Sequence, residues 1–243
     1  MIVAEINGKI PSKLDNSEDI LTSNVFSFFK YADRQLFKEY LLILGIEISL
    51  IESKNAEFIF WPSYDDGTEP DLIVLCGKYY LLFEAKLYSD FSPKTSSTNS
   101  QIEREIEMGK MSANNFNKEF VYVAITAEYY KNKTKYSEHE NEDFLFIWTN
   151  WQLVASFLNK ILENSNLKQD EEFARDLYSL LVKKKLRSFI GLCKIKVPDC
   201  TKLEHSIFYN IMTSKFKGEF SGYMDKLDGF EKIMPYQRKF QNK

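Results

Sequence analysis

The sequence predicts an α/β fold, a mixed central sheet with helices on both sides, and three observations predict it. Two strand-like runs, residues 72–76 and 79–87, are joined by Gly77-Lys78, which suits a two-residue hairpin turn. A third run, FVYVAIT at 120–126, has the composition of a buried strand. Segments of helical spacing lie before and between these runs. The core is expected from about residue 17 to 150, within a domain of residues 1–150. Residues 151–243 are expected to form a mainly helical extension packed on it.

Each element has its own signal. At residues 17–22, SEDILT, polar residues suit a helix start, and Ile20, Leu21, Val25, Phe28 and Phe29 follow at helical spacing. Strands are expected at 46–52 and 57–61, before the hairpin. A Ser/Thr/Asn-rich loop at 90–100 leads to a helix opening at Gln101, and the 120–126 strand closes the core sheet. Beyond it, FLFIWT at 144–149 reads as a strand. Residues 151–163 read as a helix with Leu153, Val154, Phe157, Leu158, Ile161 and Leu162 apolar. A loop is expected at 164–169. A second amphipathic helix follows from 171 to about 192, turning Phe173, Leu177, Leu180, Leu181 and Leu186 inward. Pro198 marks a break, 203–216 has helical character and 218–229 reads as turns.

The hairpin carries the chemistry. If Gly77-Lys78 is a two-residue loop, Cys76 faces Tyr79 and, in step, Asp71 faces Glu84. Carboxylates directly opposite on a sheet repel each other, and a cation between them removes the repulsion. Lys86, two residues past Glu84, projects from the same face. Leu81, Leu82 and Phe83 leave no polar face around these charges, so they need a partner or a metal. Two carboxylates and an ammonium on one hairpin suit metal-assisted hydrolysis of a phosphodiester. Mg²⁺ takes hard oxygen ligands, usually one or two of them carboxylates. Once bound, it acidifies water and neutralises charge on the attacking and leaving oxygens. A nearby lysine stabilises the pentavalent phosphate or helps deprotonate the water. A carboxylate pair about 5 Å apart also fits a retaining glycosidase, but Lys86 and the lack of an obvious sugar-stacking surface weigh against it.

Pro70-Asp71 followed by Glu84-Ala85-Lys86 resembles the motif of the PD-(D/E)xK nuclease superfamily, which has the restriction-endonuclease-like fold. The resemblance implies an αβββαβ core, and the elements above supply its parts in order. It implies that Asp71 and Glu84 bind metal together with the backbone carbonyl of Ala85, and that Lys86 stabilises or activates. It implies that Glu18 on the first helix assists the metal, with Asp19 the less favoured neighbour, and that Gln101 points at the active site. The implied activity is that of a Mg²⁺-dependent nuclease, with Mn²⁺ able to substitute. The implied partner is nucleic acid, DNA ahead of RNA, in restriction, repair or defence against mobile elements. The alternative is a catalytically inactive module of the same fold that binds nucleic acid or serves as a structural subunit. One catalytic centre cuts one strand, so double-strand cleavage calls for a homodimer, a partner or two successive visits.

Composition bounds the rest. A chain of 243 residues is long enough for one core of good size, or a domain with an appended subdomain. No run has transmembrane length, and the start MIVAEINGKIPSK lacks a charged head followed by an apolar stretch, so no membrane span or signal peptide is expected. Cys76, Cys193 and Cys200 have no metal-ligand spacing and fit a reducing cytoplasm. Only His139 and His205 occur, which argues against histidine-rich nuclease and zinc sites, and both are expected at the surface. The net charge of −3 gives no whole-protein footprint for nucleic acid. Lysines nevertheless cluster at 129–136, 183–187, 193–196 and 236–243, some beside aromatics that can stack on bases. Taken singly, each cluster reads more plainly as a solvated face. The Lys/Asn/Ile-rich composition suggests a low-GC bacterial genome.

Overall fold

A computed structural model describes residues 2–11, 17–93, 95, 99–136, 139, 143–164 and 168–187. Residues Met1–Phe189 form one compact unit and Ile190–Lys243 a second, which lies outside the described residues. The break expected at Pro198, the helix at 203–216, the turns at 218–229, the lysines at 193–196 and 236–243, Cys193, Cys200 and His205 lie there too.

Five strands form one mixed sheet, in the order β1 (Glu57–Phe60), β2 (Leu72–Cys76), β3 (Tyr79–Ala85), β4 (Glu119–Thr126) and β5 (Leu145–Asn150). The first three are antiparallel neighbours, whereas β3, β4 and β5 run parallel. The hairpin register is the expected one, with Cys76 opposite Tyr79 and Leu72 opposite Phe83. Gly77 takes a positive φ of 54° in the two-residue turn. Strand β4 is interior, because β5 adds a further edge beyond it.

Helices cover both faces. Helix α1 (Ile2–Ile6) is followed by α2 (Glu18–Tyr31), α3 (Arg34–Ile43) and α4 (Leu50–Lys54). After the hairpin come α5 (Gln101–Asn115), the short α6 (Lys133–Tyr136), α7 (Trp151–Asn164) and α8 (Lys168–Lys183). Leu81, Phe83 and Ala85 of β3 face Leu21, Val25 and Phe26 of α2, Val154 and Leu158 of α7, and Leu177 and Leu181 of α8 in one buried cluster. Tyr80 and Leu82 face the other way, with Tyr122, Phe146, and Ile102 and Ala113 of α5. This alternation sends Glu84 to the α5 side. Burying each large apolar side chain contributes about 1.5–3 kcal/mol, so the two clusters fix the sheet on which the polar residues sit.

Several expectations are corrected. Residues 46–52 are not a strand: Ser49 caps α4, and the Glu52 side chain bonds back to the Ser49 amide at 2.7 Å as a capping box. Helix α3, begun by Asp33, lies in a stretch for which no element was expected. Asn164 ends α7 and α8 begins at Lys168, so little of the 164–169 loop remains. Helix α8 ends at Lys183 rather than near 192, and Lys185 turns the chain at φ 61° so that Leu186 folds back to bond Leu181. His139 is buried against Phe146 rather than at the surface. Apart from these corrections, α7 and α8, beyond residue 150, pack on the sheet within the unit Met1–Phe189.

Candidate active site

The polar residues gather where β3 ends. Asp71 lies just before β2, and keeping the strand register sets it opposite Glu84. The two are laced together: the Asp71 amide donates to Glu84 Oε2 at 3.2 Å, and the Ala85 amide donates to Asp71 Oδ2 at 2.9 Å. Both carboxylates are buried. Lys86 follows the strand, held by its amide on the Ile125 carbonyl and by Trp151 Nε1 donating to its own carbonyl at 3.1 Å. Its Nζ lies 2.7 Å from Glu84 Oε1 and 3.3 Å from Glu18 Oε1.

Glu18 arrives from the first turn of α2. The Ser17 side chain caps that turn, accepting from the Ile20 amide. The Leu87 amide at 2.8 Å and the Ser89 hydroxyl at 2.7 Å both donate to Glu18 Oε2, leaving Oε1 toward Lys86. Asp19, the neighbour, is exposed and lines an adjacent cleft instead. Gln101 opens α5 behind a Ser100–Glu103 capping box. Its Nε2 donates to Glu84 Oε1 at 2.6 Å and to Glu105 Oε1 at 2.8 Å. Asp71, Glu84, Lys86, Glu18 and Gln101 are thus joined in one hydrogen-bonded set, and Ala85 contributes its amide.

Two members of this set were not expected from sequence. Glu105, one helical turn past Gln101, is fully buried, and the Tyr122 hydroxyl of β4 donates to its Oε2 at 2.6 Å. The i,i+4 spacing from Gln101 was the available signal, since it puts both side chains on one stripe of α5.

Charge is unbalanced here. Four carboxylates, those of Glu18, Asp71, Glu84 and Glu105, surround the single ammonium of Lys86. Burial, and then the charge of Glu84, push the Asp71 carboxyl up to about 8. Glu105 is pushed up to about 8 by the same two causes in the same order. Burial raises Glu84 as well, against the opposing pull of Lys86. Burial alone would discourage the Lys86 ammonium, but Glu84, Glu18 and Asp71 more than offset it and hold it charged above the usual lysine range. An additional cation would relieve all three acids. The donor set is oxygen only, as Mg²⁺ or Mn²⁺ prefers. No three His, Cys, Asp or Glu side chains among the described residues form a group able to hold a metal. A cation here would therefore take one or two carboxylates and complete its shell with backbone oxygen, water and substrate, which is the habit of Mg²⁺. The residues present fit such an ion.

The lysines expected near nucleic acid are partly committed elsewhere. Lys183 donates to the Glu5 carbonyl, and Lys184 pairs with the buried Glu5 carboxylate at 2.7 Å, which ties α1 to the end of α8. Lys135 pairs with Asp90 and lies 3.8 Å from Glu128, on the rim of a 380 Å³ pocket that also includes Lys86.

Compared with family models, with curated proteins and with solved structures, the chain matches none. The order and directions of α2, β1, β2, β3, α5, β4 and β5 stand on their own as an α/β unit with a five-stranded mixed sheet.

Proposed function

We propose that this protein is a metal-dependent nuclease of the PD-(D/E)xK kind, hydrolysing phosphodiester bonds in nucleic acid, with DNA ahead of RNA. The observation that carries the reading is the single hydrogen-bonded set of Asp71, Glu84, Lys86, Glu18 and Gln101, drawn from α2, the β2–β3 hairpin and α5. In this reading Asp71, Glu84 and the Ala85 carbonyl would hold Mg²⁺ or Mn²⁺, and Glu18, bonded to Lys86, assists from beside it. The bound ion supplies an acidified water and charge neutralisation at the phosphate.

The chain's own residues divide the remaining work. Lys86 is held charged, so its part is to stabilise negative charge on the phosphate rather than to take a proton from water. Gln101 anchors Glu84 by donating to it, which fixes the carboxylate for its ligand role. Glu18, pinned by Leu87 and Ser89, fixes the other side of Lys86. Trp151 and Tyr122, both buried, back the cluster by bonding to the Lys86 carbonyl and to Glu105.

The test is cleavage of plasmid, linear duplex, single-stranded DNA and RNA, with Mg²⁺, Mn²⁺ or chelator, by wild type, Asp71→Ala and Lys86→Ala. Metal-dependent cutting by the wild type is expected. Lys86→Ala should lose about 10²–10³ in rate with the fold retained, as for removal of one preorganised charge-stabilising group. Equal rates for wild type and Lys86→Ala would defeat the assignment. The inactive-module alternative predicts no cutting, and it predicts no Mg²⁺ or Mn²⁺ uptake by calorimetry.

A further inference from the structure

We propose that Trp61 and the cleft beside it bind an unpaired nucleobase of the substrate, next to the phosphate that is cut. This deepens the nuclease reading and rests on it. Trp61 follows β1 directly, and its amide donates to the Asp71 carbonyl at 3.1 Å. The Trp61 backbone is therefore one cross-strand step from that of Asp71.

Two features of Trp61 bear on this. Its backbone lies in the left-handed region, at φ 48°, which a bulky residue adopts only under constraint from its surroundings. The other non-glycine residues with positive φ among those described are Asn117, a type that tolerates it, and Lys185, at a helix end. The side chain is also 41% exposed, although it is the largest apolar side chain available. It leans on Phe60, with ring centroids 5.6 Å apart, and makes no other ring contact among the described residues. The strained backbone thus holds an aromatic surface outward beside the centre instead of burying it.

The cleft it borders has a volume of about 710 Å³, with room for a nucleoside. Its walls include Ile20, Ser23 and Asn24 of α2, together with Asp19 and Glu69. Asp19 adjoins Glu18 and Glu69 precedes Pro70-Asp71, so two wall residues of the cleft are chain neighbours of the hydrogen-bonded set. No lysine or arginine lines it among the described residues, and its two carboxylates repel phosphate. Carboxylates do accept hydrogen bonds from the amino groups of base edges, and an indole stacks on any base. The phosphate goes to Lys86 and the base to Trp61. Within a duplex both faces of a base are covered by its neighbours, so the occupant is an unpaired or extruded base.

The experiment is fluorescence anisotropy of labelled single-stranded DNA, single-stranded RNA and blunt duplex with the full chain in chelator. Wild type, Trp61→Phe, Trp61→Ala and Ser23→Phe are compared, and metal-dependent cleavage is measured in parallel against Lys86→Ala. Trp61→Ala should weaken single-strand binding roughly 10-fold and Trp61→Phe by much less, with duplex binding little changed. Ser23→Phe fills the cleft while leaving Trp61 in place and should weaken single-strand binding comparably, which decides the matter if Trp61→Ala fails to fold. Single-stranded RNA behaving like DNA supports the site equally, since both carry bases. A wild type that cleaves normally while Trp61→Ala and Ser23→Phe bind single strands unchanged overturns this site alone. A wild type that neither binds nor cleaves overturns both readings.

Discussion

Gln101 donates one amide nitrogen to two acids, Glu84 at 2.6 Å and Glu105 at 2.8 Å, so its orientation is set from both ends. Glu105 is held in turn by the Tyr122 hydroxyl. If this chain serves to fix Glu84, then Gln101→Ala and Glu105→Ala should each slow cleavage by about 10–100-fold, the usual effect of removing a residue that orients a metal ligand. The double variant should be no slower than the worse single one, because residues acting as a unit are not additive. Single-turnover rates check this, and additive losses would show that the two residues act separately. Glu105→Ala should also cost about 1–3 kcal/mol of stability by leaving the Tyr122 hydroxyl buried without an acceptor. At this scale the sequence was informative where local geometry sufficed. Asp71, Glu84 and Lys86 follow from a two-residue turn and the alternation of a strand. Glu105 was hidden because a glutamate on an amphipathic helix ordinarily faces water, and only the packing of α5 on Tyr122 buries it.

The β2–β3 hairpin is the element on which the register depends, and Gly77 is the residue the turn requires. A side chain there would adopt φ 54° and place its Cβ 2.3 Å from Glu52 Oε1. Gly77→Ala is expected to cost about 1–2 kcal/mol for the left-handed backbone alone. It would also push Glu52 out of the Ser49 capping box. Urea unfolding should show a lower midpoint with an unchanged slope, and a variant as stable as wild type would contradict this account of the turn. The hairpin, α2, α5, β4, β5 and α7 were legible because each carries an unbroken period with a clear start or turn. Residues 46–52 misled because Ile46, Ile48 and Leu50 alternate like a strand. The opposing signal was the Ser49-to-Glu52 spacing of a capping box, and it prevailed over the alternation. Helix α3, from Asp33 to the turn at Gly45, carried both a start and a stop signal of its own.

The whole molecule brings together what no local pattern can. The Glu5–Lys184 ion pair closes α1 onto the end of α8 across 178 to 179 residues of chain, counting from the adjoining Lys183 contact. The acid cluster likewise draws on α2, the hairpin, α5 and β4. Its electrostatics make a prediction for the entire fold. Asp71 and Glu105 sit at about 8, against ordinary values of 3.8 and 4.5 that they regain on unfolding. Between about pH 4 and pH 8 the native state therefore keeps protons that the unfolded chain releases, so the unfolding free energy falls as pH rises through that window. Metal-free protein should be more stable near about pH 5 than near pH 8, and Asp71→Asn should flatten the slope. Glu52, Asp66 and Asp90 are shifted downward, so they act below this window and do not mask it. A cation held by the native state alone adds about 2.7 kcal/mol at a hundredfold excess over its Kd. Because it competes with those protons, its stabilisation should grow from about pH 6 to pH 8 and shrink in Asp71→Asn. Urea unfolding across this range, in chelator and in Mg²⁺ or Mn²⁺, measures both effects. A flat profile in chelator would mean the carboxylates ionise freely where they stand. A metal effect indifferent to both pH and Asp71 would place the ion elsewhere on the protein.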